Sequence, residues 1–224
     1  MPDDNRAYER IAEALAEFQR TPLFAPFSSK YDAYLAGKTR LTRQEMRGLR
    51  LYEREDKGNC AACHPSQPGP KGEPPLFTDF SYDNLGVPRN PDNAFYKLPA
   101  KYNPDGAGFV DRGLGGALDM PAEEGKFKVP TLRNIAITGP YMHNGYFKTL
   151  EGLTAFYNDR DMRPRCDGGD VTEAEARKRK CWPAPEVASN MNTEELGNLK
   201  LTPREIADIV AFMKTLTDGW EGAK

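Results

Sequence analysis

Apolar residues recur at three- and four-residue spacing in several stretches of the chain, and each such stretch predicts a helix. The first carries Tyr8, Ile11, Ala12, Leu15 and Phe18, and Thr21-Pro22 stops it. The second opens near Leu41, where Thr42 and Glu45 have the spacing of a capping box. Its stripe is Met46, Leu49 and Tyr52, and the pattern ends near Gly58. A third begins near Thr149 and runs through Leu150, Leu153, Phe156 and Tyr157. The last has Thr202 as cap, Pro203 at the first position and Glu205 as box partner. Its stripe is Ile206, Ile209, Val210, Met213 and Leu216. Between Pro65 and Lys126 no period survives among Pro, Gly, Asn, Asp and scattered aromatics. So long an irregular stretch makes physical sense when it wraps a large, flat body.

Composition sharpens this picture. The chain has 224 residues, 19 Pro, 20 Gly and only 38% apolar residues, which disfavours a regular helical bundle. Short helices joined by long ordered loops are expected, with something beyond side-chain packing to hold them. Against 33 acidic residues stand 31 basic ones, so the broad positive field that nucleic acid requires is absent. A mean hydropathy of −0.72 and the lack of an apolar run near ~20 residues exclude a membrane span. The basic cluster within 176–180 follows acidic Glu173 and Glu175 and reads as a solvated helix face or loop.

The four cysteines supply the chemistry. Cys60-Ala61-Ala62-Cys63-His64 is the C-x-x-C-H pattern of covalent c-type haem attachment. Two thiols at that spacing on one helical turn can each add to a vinyl group of a porphyrin. The next imidazole then lies beneath the iron as its proximal ligand. A zinc site would need about four protein ligands, and only one other His and the distant Cys166 and Cys181 remain. A redox Cys pair would want a βαβ context that the pattern lacks. One covalent haem c is therefore expected, with Cys60 and Cys63 as anchors and His64 on the iron. Candidates for the opposite face are Met120, Met142, His143, Tyr157 and Met162. Met142 is the direct choice for a His/Met electron carrier, since it sits in the turn-forming segment Pro140-Tyr141-Met142-His143-Asn144-Gly145.

Phe127-Lys128-Val129-Pro130-Thr131-Leu132-Arg133-Asn134, followed by Thr138-Gly139-Pro140-Tyr141-Met142-His143-Asn144-Gly145, resembles the signature of bacterial di-haem cytochrome c peroxidases and their MauG-type relatives. Pro26 to Asp32, Leu41-Thr42 with Glu45, Gly48 and Leu49, and Leu150 to Asn158 fit it too, so the resemblance spans roughly residues 7 to 216. It is to the C-terminal half of such enzymes, the half that relays electrons to a peroxide-binding haem. It implies a mainly α, cytochrome c-type haem domain with long irregular loops over residues 41–224, with residues 1–40 as the N-terminal helix and lead-in of the same unit.

The resemblance also moves the distal ligand. In the family it stands fourteen positions after the His of the Pro-Tyr-x-His segment, and is Met in plain peroxidases and Tyr in the MauG type. Here that position is Tyr157, which is preferred over Met142. A phenolate is a hard anionic donor that favours ferric iron. Carried over as well are a calcium ion on the carbonyls of Thr138 and Pro140, and His143 and Arg133 near the haem propionates. Such a half-enzyme would work with a redox donor protein or a companion haem domain or chain, with homodimerisation left open. It would act in peroxide-dependent oxidation, in the periplasm. A covalent haem implies an oxidising compartment, so Cys166 and Cys181 are expected to pair, although Met1-Pro2-Asp3-Asp4 does not read as a signal peptide. The alternatives are a free-standing mono-haem carrier with Met142 as ligand, and a structural subunit whose haem only rigidifies a surface.

Overall fold

A Cβ placed on Gly48 would lie 1.9 Å from the carbonyl oxygen of Asp208 and 2.9 Å from Cβ of Phe212. Only glycine therefore lets helix α3 (Arg43–Glu53) rest directly on the last helix, Pro203–Lys214. This crossing is the backbone of the computed structural model, which describes residues 2–222, with side chains from residue 5. Met1 and the side chains of residues 2–4 lie outside the described residues. Both helices start as the sequence dictates: Thr42 with Glu45, and Thr202 with Glu205, form reciprocal capping boxes. Arg47 clasps the pair from outside, Nε to Oδ2 of Asp208 at 2.8 Å and Nη2 to Oδ1 at 2.9 Å.

The molecule is mainly helical with little sheet. In order come α1 (Pro2–Gln19), α2 (Lys30–Leu35), α3, α4 (Gly113–Leu118), α5 (Leu150–Asp159), α6 (Glu173–Arg179) and α7, the Pro203–Lys214 helix. A two-residue antiparallel pair, β1 (Tyr82–Asp83) and β2 (Phe127–Lys128), sets Tyr82 opposite Lys128 and Asp83 opposite Phe127. The core has two aromatic centres. Tyr31, Tyr52, Phe77 and Phe212 meet edge to face beneath α3 and α7. Phe147, Phe156 and Trp182 meet beside α5. Cys166 and Cys181 form a disulfide that closes the loop carrying α6, with Trp182 fully buried next to it.

Two expectations need correction, and a third element forms without joining the core. α3 stops at Glu53 rather than near Gly58, and the chain turns so that the Gly58 N–H donates to the Leu51 carbonyl at 2.9 Å. The C-x-x-C-H segment starts on a single 3₁₀ turn, Cys60–Ala62, rather than a full α-turn. The amphipathic α1 forms, but its stripe is not core: Tyr8 is 75% exposed and Ile11 60%. What ties the N-terminal segment down is the lead-in to α2, where Tyr31 is buried and the Trp220 N–H donates to the Ser28 carbonyl at 3.0 Å. The irregular 65–126 stretch is ordered by asparagines rather than by period. Asn103 donates to the carbonyls of Phe95 and Gly106, and Asn84 to those of Val187 and Ser189, each supplying partners that secondary structure would otherwise give.

Candidate cofactor site

The motif is fixed from both ends. Asn59 adopts a left-handed backbone, φ 49°, which turns the chain into the 3₁₀ turn, and the His64 N–H closes on the Cys60 carbonyl at 2.9 Å. Asn tolerates that conformation better than most residues. Behind the turn, the buried Tyr52 hydroxyl of α3 donates to the His64 carbonyl at 2.7 Å. The imidazole is fixed too. Its Nδ1 lies 2.8 Å from the Phe77 carbonyl oxygen, which can only accept, so Nδ1 carries the proton and Nε2 keeps a free lone pair. Burial holds the His64 pKa below its usual value, against the opposing pull of the Phe77 and Pro130 carbonyls. A neutral ring with a free Nε2 is the form that binds a metal.

Cys60 and Cys63 are both unpaired thiols. Burial pushes each up to about 12, and for Cys63 the carboxylates of Glu195, Asp79 and Asp83 add to it. A redox-active pair or a zinc site needs thiolates, which electropositive surroundings stabilise. Here the surroundings are apolar and acidic. Among the described residues, the grouping with metal-ligand proximity is Cys63, Asp83 and Glu195, which contains neither Cys60 nor His64.

All three motif side chains line one cavity of about 400 Å³, within the ~300–1,000 Å³ usual for cofactor sites. Its walls are mostly apolar, supplied by Val87 and Leu132 from loops, Phe127 from β2, Leu153 from α5, and Ile209 and Met213 from α7. The same cavity is lined by Tyr157, Met142, His143, Thr138 and Pro140. Tyr157 belongs to α5, whose Thr149 cap accepts from the Gly152 N–H. Burial raises the Tyr157 pKa, with Cys60, Cys63 and Asp83 adding to the effect and Arg160 opposing it. His143 stacks flat on Phe127, ring centroids 3.5 Å apart at 5°, and burial pulls its pKa down to about 4. It is a neutral wall of the cavity. Two unpaired thiols three positions apart, an imidazole whose Nε2 carries no proton, a phenol and a mostly apolar cavity of this size fit a covalently attached haem.

Arg133, expected near the haem propionates, is not among the residues that line the cavity. Its guanidinium is committed to Asp32 by two hydrogen bonds, and Nε donates to the Pro75 carbonyl at 2.9 Å. The cationic side chain that does line the cavity is Lys128. Met120 and Met162 are exposed on the outer surface and line no part of it.

Pattern reading also misses several polar groups. Asp83, Asp111, Glu186 and Glu195 line the cavity, and each sits in or beside an irregular loop where no spacing marks it. Arg160, at the end of α5, is fully buried. It donates to both oxygens of Asp161 and to the carbonyls of Leu85 and Asn192. A charged residue four positions after Phe156, on the buried face of a short helix, is the one signal that could have found it.

No family model matches the chain. Curated relatives do. It is 38% identical over 222 residues to the methylamine utilization protein MauG of Paracoccus denitrificans (strain Pd 1222), covering 97% of this chain and 54% of that protein. It is 30% identical over 217 residues to the cytochrome-c peroxidase IdrP1 of Denitromonas iodatirespirans, covering 91% and 48%. The fold is similar to the crystal structure of the diheme peroxidase BthA from Burkholderia thailandensis E264. There the TM-score is 0.66 with 35% identity, over 96% of this chain and 52% of that one. The chain thus spans about half the length of the relatives it matches.

Proposed function

The chain belongs to the MauG and di-haem cytochrome c peroxidase family, and from that premise we propose that it is a haem c electron-transfer unit, equivalent to the C-terminal half of such enzymes. It works with a second haem, on a companion domain or chain, in peroxide-dependent oxidation. The observation that carries this reading is the convergence of Cys60, Cys63, His64 and Tyr157 on one apolar-walled cavity. The free Nε2 of His64 is aligned there by the Phe77 carbonyl.

The haem supplies one-electron redox chemistry when bound. Cys60 and Cys63 would anchor it through thioether bonds, and His64 would hold the iron through Nε2. Tyr157 is the preferred second ligand, and its phenol would have to lose a proton to bind. The apolar walls from α5 and α7 keep water from the ring. Oxygen donors at Thr138 and Pro140 suit a hard cation such as calcium, whose remaining ligands would come from the companion half. The disulfide at Cys166 and Cys181 and the covalent attachment both suit the periplasm. No helix among the described residues is long and apolar enough to cross a membrane.

The test is the haem-loaded chain itself. Intact mass should give one haem on 25.1 kDa. The ferric spectrum should be six-coordinate and change in Tyr157→Phe. Rapid cyanide binding by the resting protein at a five-coordinate iron would overturn the assignment. A near-infrared charge-transfer band abolished in Met142→Ala would give the ligand to Met142 instead.

A further inference from the structure

Beside the attachment motif, the end of β1 and the loop before α7 bring two carboxylates together. Cys63 Sγ, an Asp83 oxygen and a Glu195 oxygen all lie within 4.8 Å of one another. One amide joins the acids: Asn192 Nδ2 donates to Asp83 Oδ2 at 2.6 Å and to Glu195 Oε2 at 2.7 Å. The amide is itself held in place. Its Oδ1 accepts the Glu195 N–H at 3.0 Å, and the Asn192 N–H donates to the Asn84 carbonyl at 2.8 Å. The Cys63 thiol donates to Glu195 Oε2 at 3.8 Å. Thioether formation removes that hydrogen, and Asn192 still retains the carboxylate.

Neither Asp83 nor Glu195 makes an ion pair among the described residues. The guanidinium of Arg160, the cation closest along the chain to Tyr157, is spent on both oxygens of Asp161. Four carboxylates line the cavity against one lysine, Lys128, which donates to the Val129 carbonyl and lies over the Phe80 ring. The acidic pair abuts Cys63 of C-x-x-C-H, a residue to which the ring would be bonded.

We propose that Asp83 and Glu195, clamped by Asn192, are positioning residues that lower the reduction potential of the haem attached at Cys63. The inference rests on the haem c reading above. One electron added to ferric iron lowers the charge of the haem by one. Fixed negative charge on half-buried side chains of the cavity wall therefore favours the ferric side of the couple. The clamp matters because a carboxylate free to swing into water would be screened.

The experiment is spectroelectrochemical titration of the haem-loaded protein and of Asp83→Asn, Glu195→Gln, the double variant, Glu195→Asp, and Glu13→Gln on exposed α1 as control. The midpoint should rise in both single variants. In the double variant the ferrous-to-ferric ratio at fixed applied potential should rise at least threefold, about 28 mV at 59 mV per tenfold for one electron. Glu195→Asp, which keeps the charge but shortens its reach to Asn192, should shift the midpoint less than Glu195→Gln. A double variant that moves no further than Glu13→Gln overturns the inference. If the double variant does not take up haem, the two single variants decide on the same criterion. Absence of covalent haem from the wild-type chain would instead sink the haem reading itself, and intact mass tells the two failures apart.

Discussion

Arg133 and Asp32 meet in a two-pronged ion pair, Nη1 to Oδ2 at 3.0 Å and Nη2 to Oδ1 at 2.9 Å, with both side chains nearly out of contact with solvent. The pair fastens the start of α2 to the loop after β2. Ser29, the α2 cap, donates to the same carboxylate through its N–H and hydroxyl. Removing one partner leaves the other charge largely buried. Arg133→Met should therefore lower unfolding stability by about 3 kcal/mol, read by urea denaturation, while haem content of the folded fraction stays unchanged. Loss of covalent haem at full stability would return Arg133 to the propionates.

The same pair sets a pH dependence. Burial alone would raise the Asp32 pKa, but the hydrogen bonds from Arg133 and Ser29 outweigh it and hold the group below its ordinary value. A depressed carboxylate contributes stability that is complete above its unfolded pKa of ~3.9 and is lost as pH falls through the folded value. Wild type should therefore lose stability more steeply than Asp32→Asn below about pH 4. Parallel acid-unfolding curves for the two proteins would contradict this.

Gly48→Ala should loosen the α3–α7 crossing, because its Cβ meets the backbone of Asp208 rather than a side chain that can move. Overpacking of this kind costs about 1–3 kcal/mol or more. Thermal unfolding by circular dichroism should show a drop of several degrees. An unchanged midpoint would mean that the helices separate freely.

The disulfide between Cys166 and Cys181 closes a loop with a sequence separation of 15. Removing it by Cys166→Ser with Cys181→Ser should cost about 3 kcal/mol, mainly through the unfolded chain. Trp182 follows Cys181 directly and packs on Phe156, ring centroids 5.3 Å apart, so its fluorescence is the reporter of choice. Equal denaturation midpoints for the variant and wild type would count against this.

Thiols at about 12 are almost entirely protonated. In haem-free protein at pH 8, Cys60 and Cys63 should react with iodoacetamide roughly a thousandfold more slowly than a free cysteine of pKa ~8.5. Mass spectrometry of the quenched time course reads the rate. Fast alkylation would point to an activated, redox-type pair.

What the sequence determined by itself is local. The capping pairs Thr42 with Glu45 and Thr202 with Glu205, the stripes of α3, α5 and α7, and the C-x-x-C-H spacing all arise from groups a few positions apart. Their geometry follows from backbone and side-chain reach alone. Of the candidate ligands named from the residues, Met142, His143 and Tyr157 line the cavity with the motif, and the resemblance supplied the preference for Tyr157. Only the tertiary structure decided the rest. Arg133 turns to Asp32, over a hundred positions away, because chain closure puts a carboxylate within reach of its fork. Asp83 at the end of β1 and Asn192 and Glu195 in an irregular loop come together through side-chain hydrogen bonds, over a hundred positions apart, that no period marks. The stripe of α1 has the pattern of a buried face and yet stands in solvent. Amphipathic spacing fixes which side of a helix is apolar, and only the assembled fold fixes what, if anything, that side meets.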